Sequence, residues 1–147
     1  MLKNDLNFVT LRNSKDRSFV SLEIFEFASL KEDILTICMG HAMGGDDDFE
    51  IREEAAEAME HFAEQVKDIK HFAVLMGEDD VTPRAILNIK RLAYVRLHPR
   101  RMEGTNSLDG HELLVLDVWY ENYGFRLAED DAIAMYETIS KILDIDP

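Results

Sequence analysis

The sequence predicts an α+β fold, with a mainly antiparallel sheet and two helices. Three observations predict it: segments rich in β-branched and aromatic residues, two amphipathic segments of helical period, and a near-repetition of this pattern about 76 residues further on. The chain has 147 residues, of which 46% are hydrophobic, so it can build a packed core. We therefore expect one compact domain over residues 1–147.

The first half of the chain begins with strand-like segments. Asn7–Leu11 and Phe19–Phe27 have the residue content of strands, and the polar segment Asn13–Arg17 between them predicts a hairpin turn. A third strand is predicted at Ile34–Met39, and Phe49–Ile51 adds a short one. These segments predict a sheet that precedes the first helix.

The first helix is predicted from Arg52 to Ile69. Ala56, Met59, Ala63 and Val66 recur at helical spacing and form its apolar stripe. The segment after it, Phe72–Met76, fits either an extension of this helix or a short strand. The second half then predicts strands at Ala85–Ile89, Leu92–Leu97 and Leu113–Tyr120, a polar loop at Arg100–Gly110, a short extended segment at Phe125–Leu127 and a last helix from Glu129 to Leu143.

The two helical segments resemble one another. Over 21 ungapped positions at an offset of 76 residues, 7 are identical. Upstream, Phe19–Leu22 resembles Tyr94–Leu97. We therefore predict two tandem pseudo-repeated β-β-β-α units, residues 1–77 and 78–147, with convergence of two similar segments as the alternative. The identical pairs include Phe49/Phe125, Glu53/Glu129, Ala56/Ala132 and Met59/Met135.

The net charge of −14 shapes the partners that the sequence predicts. Phosphate contacts need Lys and Arg, so we expect no direct binding to nucleic acid and no binding to a membrane. An acidic chain favours a protein partner with a basic surface, and exposed sheet edges favour a homodimer. The single cysteine, Cys38, and the polar N-terminus predict a cytoplasmic location.

Positive charge is concentrated between Val81 and Met102, where the chain has six Lys and Arg residues and no Asp or Glu. If this region forms a strand, alternate residues share one face and make a candidate site for an anionic small molecule. Pairing of these cations with acidic neighbours is the structural alternative. The candidate anion-binding residues are Lys90, Tyr94, Arg96, His98 and Arg100.

Negative charge is concentrated around the first helix. This acidic surface could bind a basic partner by resembling a nucleic acid, or it could be a solvated helix face. The candidate partner-binding residues are Glu50, Glu53, Glu54, Glu57, Glu60 and Glu64.

No motif for a catalytic residue, metal or cofactor is found in the sequence. The loop Gly44–Asp48 lacks the Lys of a phosphate loop and the ligand spacing of an EF-hand. The sequence therefore favours a non-enzymatic acidic binding or regulatory protein, of the inhibitor, immunity or adaptor type, that acts through a protein–protein surface. The alternative is a small-molecule binder that holds an anionic nucleotide or metabolite at the basic strand face, residues 90–101.

An enzyme is the third hypothesis. It would be of the hydrolase type and would use a histidine with an aspartate as acid and base. The candidates are His98 or His111 with Asp109 or Asp117, which have no diagnostic spacing.

Overall fold

The computed structural model describes residues 7–40, 48–101, 112–121 and 123–145, apart from the side chain of Arg101. These residues form two helices and ten strands, and every strand pair is antiparallel, so the predicted α+β class with a mainly antiparallel sheet is confirmed. None of the helices in these ranges is long and apolar enough to cross a membrane. The chain divides into two compact units, Met1–Arg91 and Leu92–Pro147.

The first unit contains seven strands, one helix and a 3-10 turn within its described residues. Its sheets are a pair, β1-β2, and a five-stranded sheet of order β5-β4-β3-β7-β6. The elements are β1 (Phe8–Arg12), β2 (Arg17–Ser21), β3 (Phe25–Lys31), β4 (Ile34–Met39), β5 (Phe49–Ile51), α1 (Ala55–Val66), β6 (Phe72–Met76), β7 (Pro83–Asn88) and the 3-10 turn Ile89–Arg91.

The hairpin turn between β1 and β2 is formed as predicted. The Asn13 side-chain oxygen accepts hydrogen bonds from the backbone N–H groups of Lys15 (2.8 Å) and Asp16 (2.6 Å). This arrangement is a local turn of the kind that asparagine stabilises, and the side-chain amide of Asn13 also donates to the carbonyl of Glu53 (2.5 Å).

The predicted strand Phe19–Phe27 is wrong, because the chain turns between Ser21 and Phe25 and forms two strands. The N–H of Leu22 donates to the carbonyl of Asn7, and the buried Asn88 side chain donates to the carbonyls of Leu22 and Phe25. These bonds come from distant parts of the chain, so the local pattern does not contain them.

Helix α1 packs on the core of the first unit. It buries Ala55, Ala58, Met59, Phe62 and Val66, so the buried stripe is rotated by about one residue from the predicted one. The ring of Phe62 lies 4.8 Å from that of Phe25 in β3. The ambiguous segment after the helix is strand β6, which pairs with β7.

The second unit is a three-stranded sheet with one helix. The sheet order is β10-β9-β8, and α2 contacts all three strands. Helix α2 buries Ala132, Met135 and Ile139 and ends at Asp144, whose left-handed backbone lets its N–H reach the last carbonyls. The elements are β8 (Tyr94–Arg101), β9 (Glu112–Trp119), β10 (Gly124–Ala128) and α2 (Glu129–Leu143).

The predicted pseudo-repeat is not confirmed. Strand β2, which holds most of Phe19–Leu22, pairs with β1, whereas its sequence counterpart Tyr94–Leu97 lies in β8 and pairs with β9. The units also divide after Arg91 and not after residue 77, because β6 and β7 belong to the sheet of the first unit. One domain over residues 1–147 stays a prediction.

Candidate functional site

The sheet of the second unit has two different faces. Its apolar face is buried or half-buried. Its other face, which we call the open face, carries aromatic and charged side chains at alternate positions. The apolar face includes Val95, Leu97, Leu116, Val118, Phe125 and Leu127. The open face includes Tyr94, Arg96, His98, Arg100, Asp117, Trp119 and Arg126, together with Leu113 and Val115, which lie opposite Arg100 and His98.

Two aromatic rings lie side by side on the open face. Tyr94 in β8 is the register partner of Trp119 in β9, and their ring centroids are 6.3 Å apart with an interplanar angle of 22°. Tyr94 is 52% exposed and Trp119 is 42% exposed. Both rings are therefore close to parallel and partly accessible to solvent.

A glycine in the third strand makes room for the tryptophan ring. Gly124 is the register partner of Trp119 in β10, and a Cβ atom added there would collide with the Trp119 ring. The ring thus lies over a residue that has no side chain. This contact fixes the ring where it can meet Tyr94.

A row of charged residues crosses the sheet beside the aromatic pair. Asp117 stands between Arg96 and Arg126 in the register. Its carboxylate accepts hydrogen bonds from Arg126 Nε (2.5 Å) and His98 Nε2 (2.7 Å), and it is buried. Arg96 makes no hydrogen bond or ion pair with any other described residue, although it is directly opposite Asp117. The Asp117 carboxylate is therefore hydrogen-bonded to Arg126 and His98, and the Arg96 side chain remains exposed to solvent.

The structure brings together four of the five candidate anion-binding residues. Tyr94, Arg96, His98 and Arg100 alternate along β8 and so share the open face. Lys90 does not join them, because it lies in the 3-10 turn of the first unit. Sequence reasoning had not assigned Trp119 or Arg126 to this face.

The candidate acidic residues are exposed, and several have local partners. Lys15 pairs with Glu53 at 2.9 Å, Arg52 with Glu50 at 3.2 Å, and Lys67 with Glu64 at 2.5 Å. Glu54 precedes α1 in a left-handed conformation and accepts a hydrogen bond from Ser14, which lowers the pKa of Glu54. Glu57 and Glu60 lie on the solvent side of α1. Three of the six candidate glutamates, Glu50, Glu53 and Glu64, thus form ion pairs with nearby Lys or Arg residues.

The acid–base candidates are only in part described. His98 does donate to Asp117, but the same carboxylate is held by Arg126, which gives the pair a structural explanation. His111 and Asp109 lie outside the described residues, as does most of the loop Gly44–Asp48. Within the described ranges there is no group of three or more potential metal ligands.

Comparisons with known proteins give one similar structure. No protein-family model matches the chain, and no curated protein matches it. A solved structure that is similar is the LytTr DNA-binding domain of a response regulator from Bacillus cereus, with a TM-score of 0.47 and 14% sequence identity over 93% of this chain and 96% of that one.

This finding contradicts the predicted function and partners. The similar structure is a DNA-binding domain and not an acidic protein-binding protein. The predicted inhibitor, immunity or adaptor protein with a basic protein partner is therefore wrong, and so is the exclusion of nucleic acid. The other predicted partners, an anionic small molecule and a second copy of the chain, are not confirmed.

The error has a physical cause, which is that net charge was treated as uniform. The value of −14 is a sum over the whole chain, whereas phosphate binding depends on the cations at the contact surface. In the second unit, acidic residues occupy the first turn of α2, while Arg96, Arg100 and Arg126 are on the open face with Asp117 as their one acid. The sign of the local charge is thus opposite to that of the chain.

Proposed function

We propose that the protein binds single-stranded nucleic acid on the open face of its second unit. The observation that carries this proposal is the exposed, stacked pair Tyr94 and Trp119 beside the exposed cation Arg96 on one sheet surface. Aromatic platforms flanked by cations are the usual means by which sheets bind unstacked bases and their phosphates.

The aromatic pair supports base stacking. Large aromatic side chains are normally buried, and exposed ones that lie next to each other mark an interaction surface. Tyr94 and Trp119 are close to parallel, at 22°, so a flat base can lie on either ring. A base inside a duplex cannot reach such a surface, which is why the proposal specifies a single strand.

The arginines support phosphate binding. Arg96 and Arg100 are four residues apart on β8, so their side chains leave the sheet on the same side about 13 Å apart along the strand. Neither makes a hydrogen bond or ion pair elsewhere in the part of the chain that the structure describes. Guanidinium groups bind phosphate oxygens in pairs of hydrogen bonds, so these two suit a backbone that follows β8. A nucleic-acid partner also agrees with the predicted cytoplasmic location.

The few cations set the expected strength of binding. Counterion release from a single strand gives a slope of log K against log salt of about −0.7 for each phosphate contacted. With Arg96, Arg100 and Arg126 as the cations, we expect binding that is weak at physiological salt and markedly tighter at low salt. Stacking of the bases on the aromatic rings then supplies the part of the affinity that does not depend on salt concentration.

The single tryptophan of the chain allows a direct test. Titration with single-stranded oligonucleotides of about ten nucleotides should quench Trp119 fluorescence, because a base would stack on its ring. Replacing Tyr94→Leu should weaken binding of a labelled oligonucleotide at least about fivefold, and Arg96→Gln should reduce the salt slope by about 0.7. Matched controls are Phe19→Leu, an exposed aromatic of the first unit, and Lys141→Gln on α2.

A third variant tests the geometry without changing charge. Gly124→Ala should displace the Trp119 ring and weaken oligonucleotide binding, while the arginines remain in place. The proposal is wrong if Tyr94→Leu and Arg96→Gln bind like their controls. Equal binding of a duplex of the same sequence would show that unstacked bases are not what the face recognises.

A further inference from the structure

The first unit contains a cavity of about 430 Å³, whose lining residues all belong to that unit. Its walls come from the start of β1, the turn between β2 and β3, the turn between α1 and β6, and the end of β7. Its volume is in the range of pockets that hold small organic molecules. The lining residues are Asn7, Leu22, Glu23, Asp68, Ile69, His71, Phe72, Asn88 and Lys90.

Buried hydrogen bonds hold these walls together. The Asn88 side-chain amide donates to the carbonyls of Leu22 (3.1 Å) and Phe25 (2.8 Å), and its oxygen accepts from the N–H of Lys90 (3.1 Å). The N–H of Ile89 donates to the carbonyl of His71 (2.8 Å). The cavity is therefore formed before any ligand arrives, which lowers the cost of binding.

The floor of the cavity is apolar and partly aromatic. Leu22 and Phe72 are buried, and Ile69 is half-buried. The ring centroids of His71 and Phe72 are 4.8 Å apart, and the two ring planes are tilted by 44°. Burial, and then the charge of Lys90, lower the pKa of His71, so at neutral pH it is a neutral ring. Such a floor suits a flat aromatic body.

The rim of the cavity has more negative than positive charge. It carries the carboxylates of Glu23 and Asp68 and the single ammonium of Lys90. Glu23 is exposed and forms no hydrogen bond or ion pair with another residue of the described ranges. An anionic ligand would meet two like charges and one opposite charge, whereas a cation would meet two opposite charges and one like charge.

We propose that this cavity binds a small aromatic molecule that carries an ammonium group, with the ring on the floor and the ammonium at Glu23 and Asp68. The site is in the first unit and does not rest on the nucleic-acid function proposed for the second. Either proposal can fail while the other stands.

Three probes of one ring system test the charge and the ring separately. Tryptamine has the ring and an ammonium, indole has the ring alone, and indole-3-acetate has the ring and a carboxylate. Binding is followed by amide chemical shifts of the full chain at neutral pH. We expect tryptamine to bind tightest and indole-3-acetate weakest, with the shifts at Ile69, His71 and Lys90. Ethylamine, which lacks the ring, should not bind.

Two variants locate the ammonium. Glu23→Gln should weaken tryptamine binding about three- to fivefold and leave indole binding unchanged. Glu78→Gln removes the same charge from an exposed turn outside this cavity and should change neither. Equal affinities for tryptamine and indole-3-acetate, or equal effects of the two variants, would overturn the charge selectivity. Shifts that fall outside the cavity with every probe would overturn the site itself.

Discussion

Asp117 stands at the centre of the open face and holds two neighbours through one carboxylate. Arg126 and His98 both donate to it, and its side chain is only 12% exposed. Asp117→Asn keeps the shape but removes the charge that both donors use. We expect the free energy of unfolding to fall by about 1–3 kcal/mol, measured by urea denaturation. Oligonucleotide binding at low salt should become tighter, because the open face loses its one acid.

The opposite directions of these two effects make the prediction specific. Glu121→Gln, an exposed residue in the turn after β9, removes the same charge without touching Arg126 or His98. It should leave stability unchanged within about 0.5 kcal/mol. A variant Asp117→Asn that is as stable as the natural chain would contradict the role of this carboxylate.

His71 should contribute to the pH dependence of stability. Its pKa is lowered in the folded chain by burial and by Lys90, so the unfolded chain takes up the proton first as the pH falls. The contribution is thus fully present above the unfolded pKa of about 6.5 and is lost as the pH falls through the folded value. Urea denaturation between about pH 7 and pH 5 should show a smaller loss of stability for His71→Gln than for the natural chain. An equal loss of unfolding free energy in His71→Gln and in the natural chain would contradict this role of His71.

The sequence could predict which site residues share a face when those residues belong to the same strand. The alternation of Tyr94, Arg96 and His98 along a strand follows from sequence alone. Their partners Trp119 and Arg126 come from other strands, and the register that sets them opposite one another depends on the whole sheet. Lys90 was misplaced because a 3-10 turn interrupts the alternation just before β8.

At the scale of elements, Asn88 joins the end of β7 to the turn between β2 and β3. Its side chain is 1% exposed and donates to two backbone carbonyls. Asn88→Ala would leave both carbonyls without these donors, so we expect a loss of about 2–3 kcal/mol in the free energy of unfolding. Asn13→Ala, in the exposed β1–β2 turn, should cost less, about 1 kcal/mol. Similar losses in urea denaturation for the two variants would contradict the role of Asn88.

Elements that depend only on local sequence were predictable, whereas the turn that Asn88 holds was not. The existence of both helices and of most strands follows from local period. Helix α2 was predicted at its observed bounds, Glu129–Leu143, whereas α1 was predicted three residues too long at each end. The turn at Leu22 depends on Asn88, which is 66 residues away, and so the local pattern predicted an uninterrupted strand. The strand order β5-β4-β3-β7-β6 likewise requires contacts that no single segment specifies.

At the scale of the whole molecule, the distribution of charge matters more than its sum. The net charge of −14 led to the exclusion of nucleic acid, whereas Arg96, Arg100 and Arg126 lie on one face of one unit. The resemblance between the two helical segments likewise led to a boundary at residue 77, whereas the sheet of the first unit continues through β7. Both errors came from properties of the linear chain that folding redistributes among surfaces.

The two units should differ in their ability to fold alone. The first unit has its own core, in which Leu11, Phe25, Ile37 and Phe62 are fully buried. The second unit, Leu92–Pro147, is shorter than the roughly 60 residues at which a core becomes marginal, and it has only one helix and three strands among its described residues.

We therefore expect residues 1–91 expressed alone to give a dispersed amide spectrum, with the shifts of β3 and β4 close to those of the full chain. Residues 92–147 alone should show little ordered structure by circular dichroism and no stable Trp119 environment by fluorescence. Cooperative urea unfolding of the 92–147 fragment would contradict this expectation, as would a collapsed spectrum for 1–91. The physical reason is that the two units differ in buried apolar surface. Folding costs conformational entropy for every residue that is ordered, and only a sufficiently large core offsets that cost.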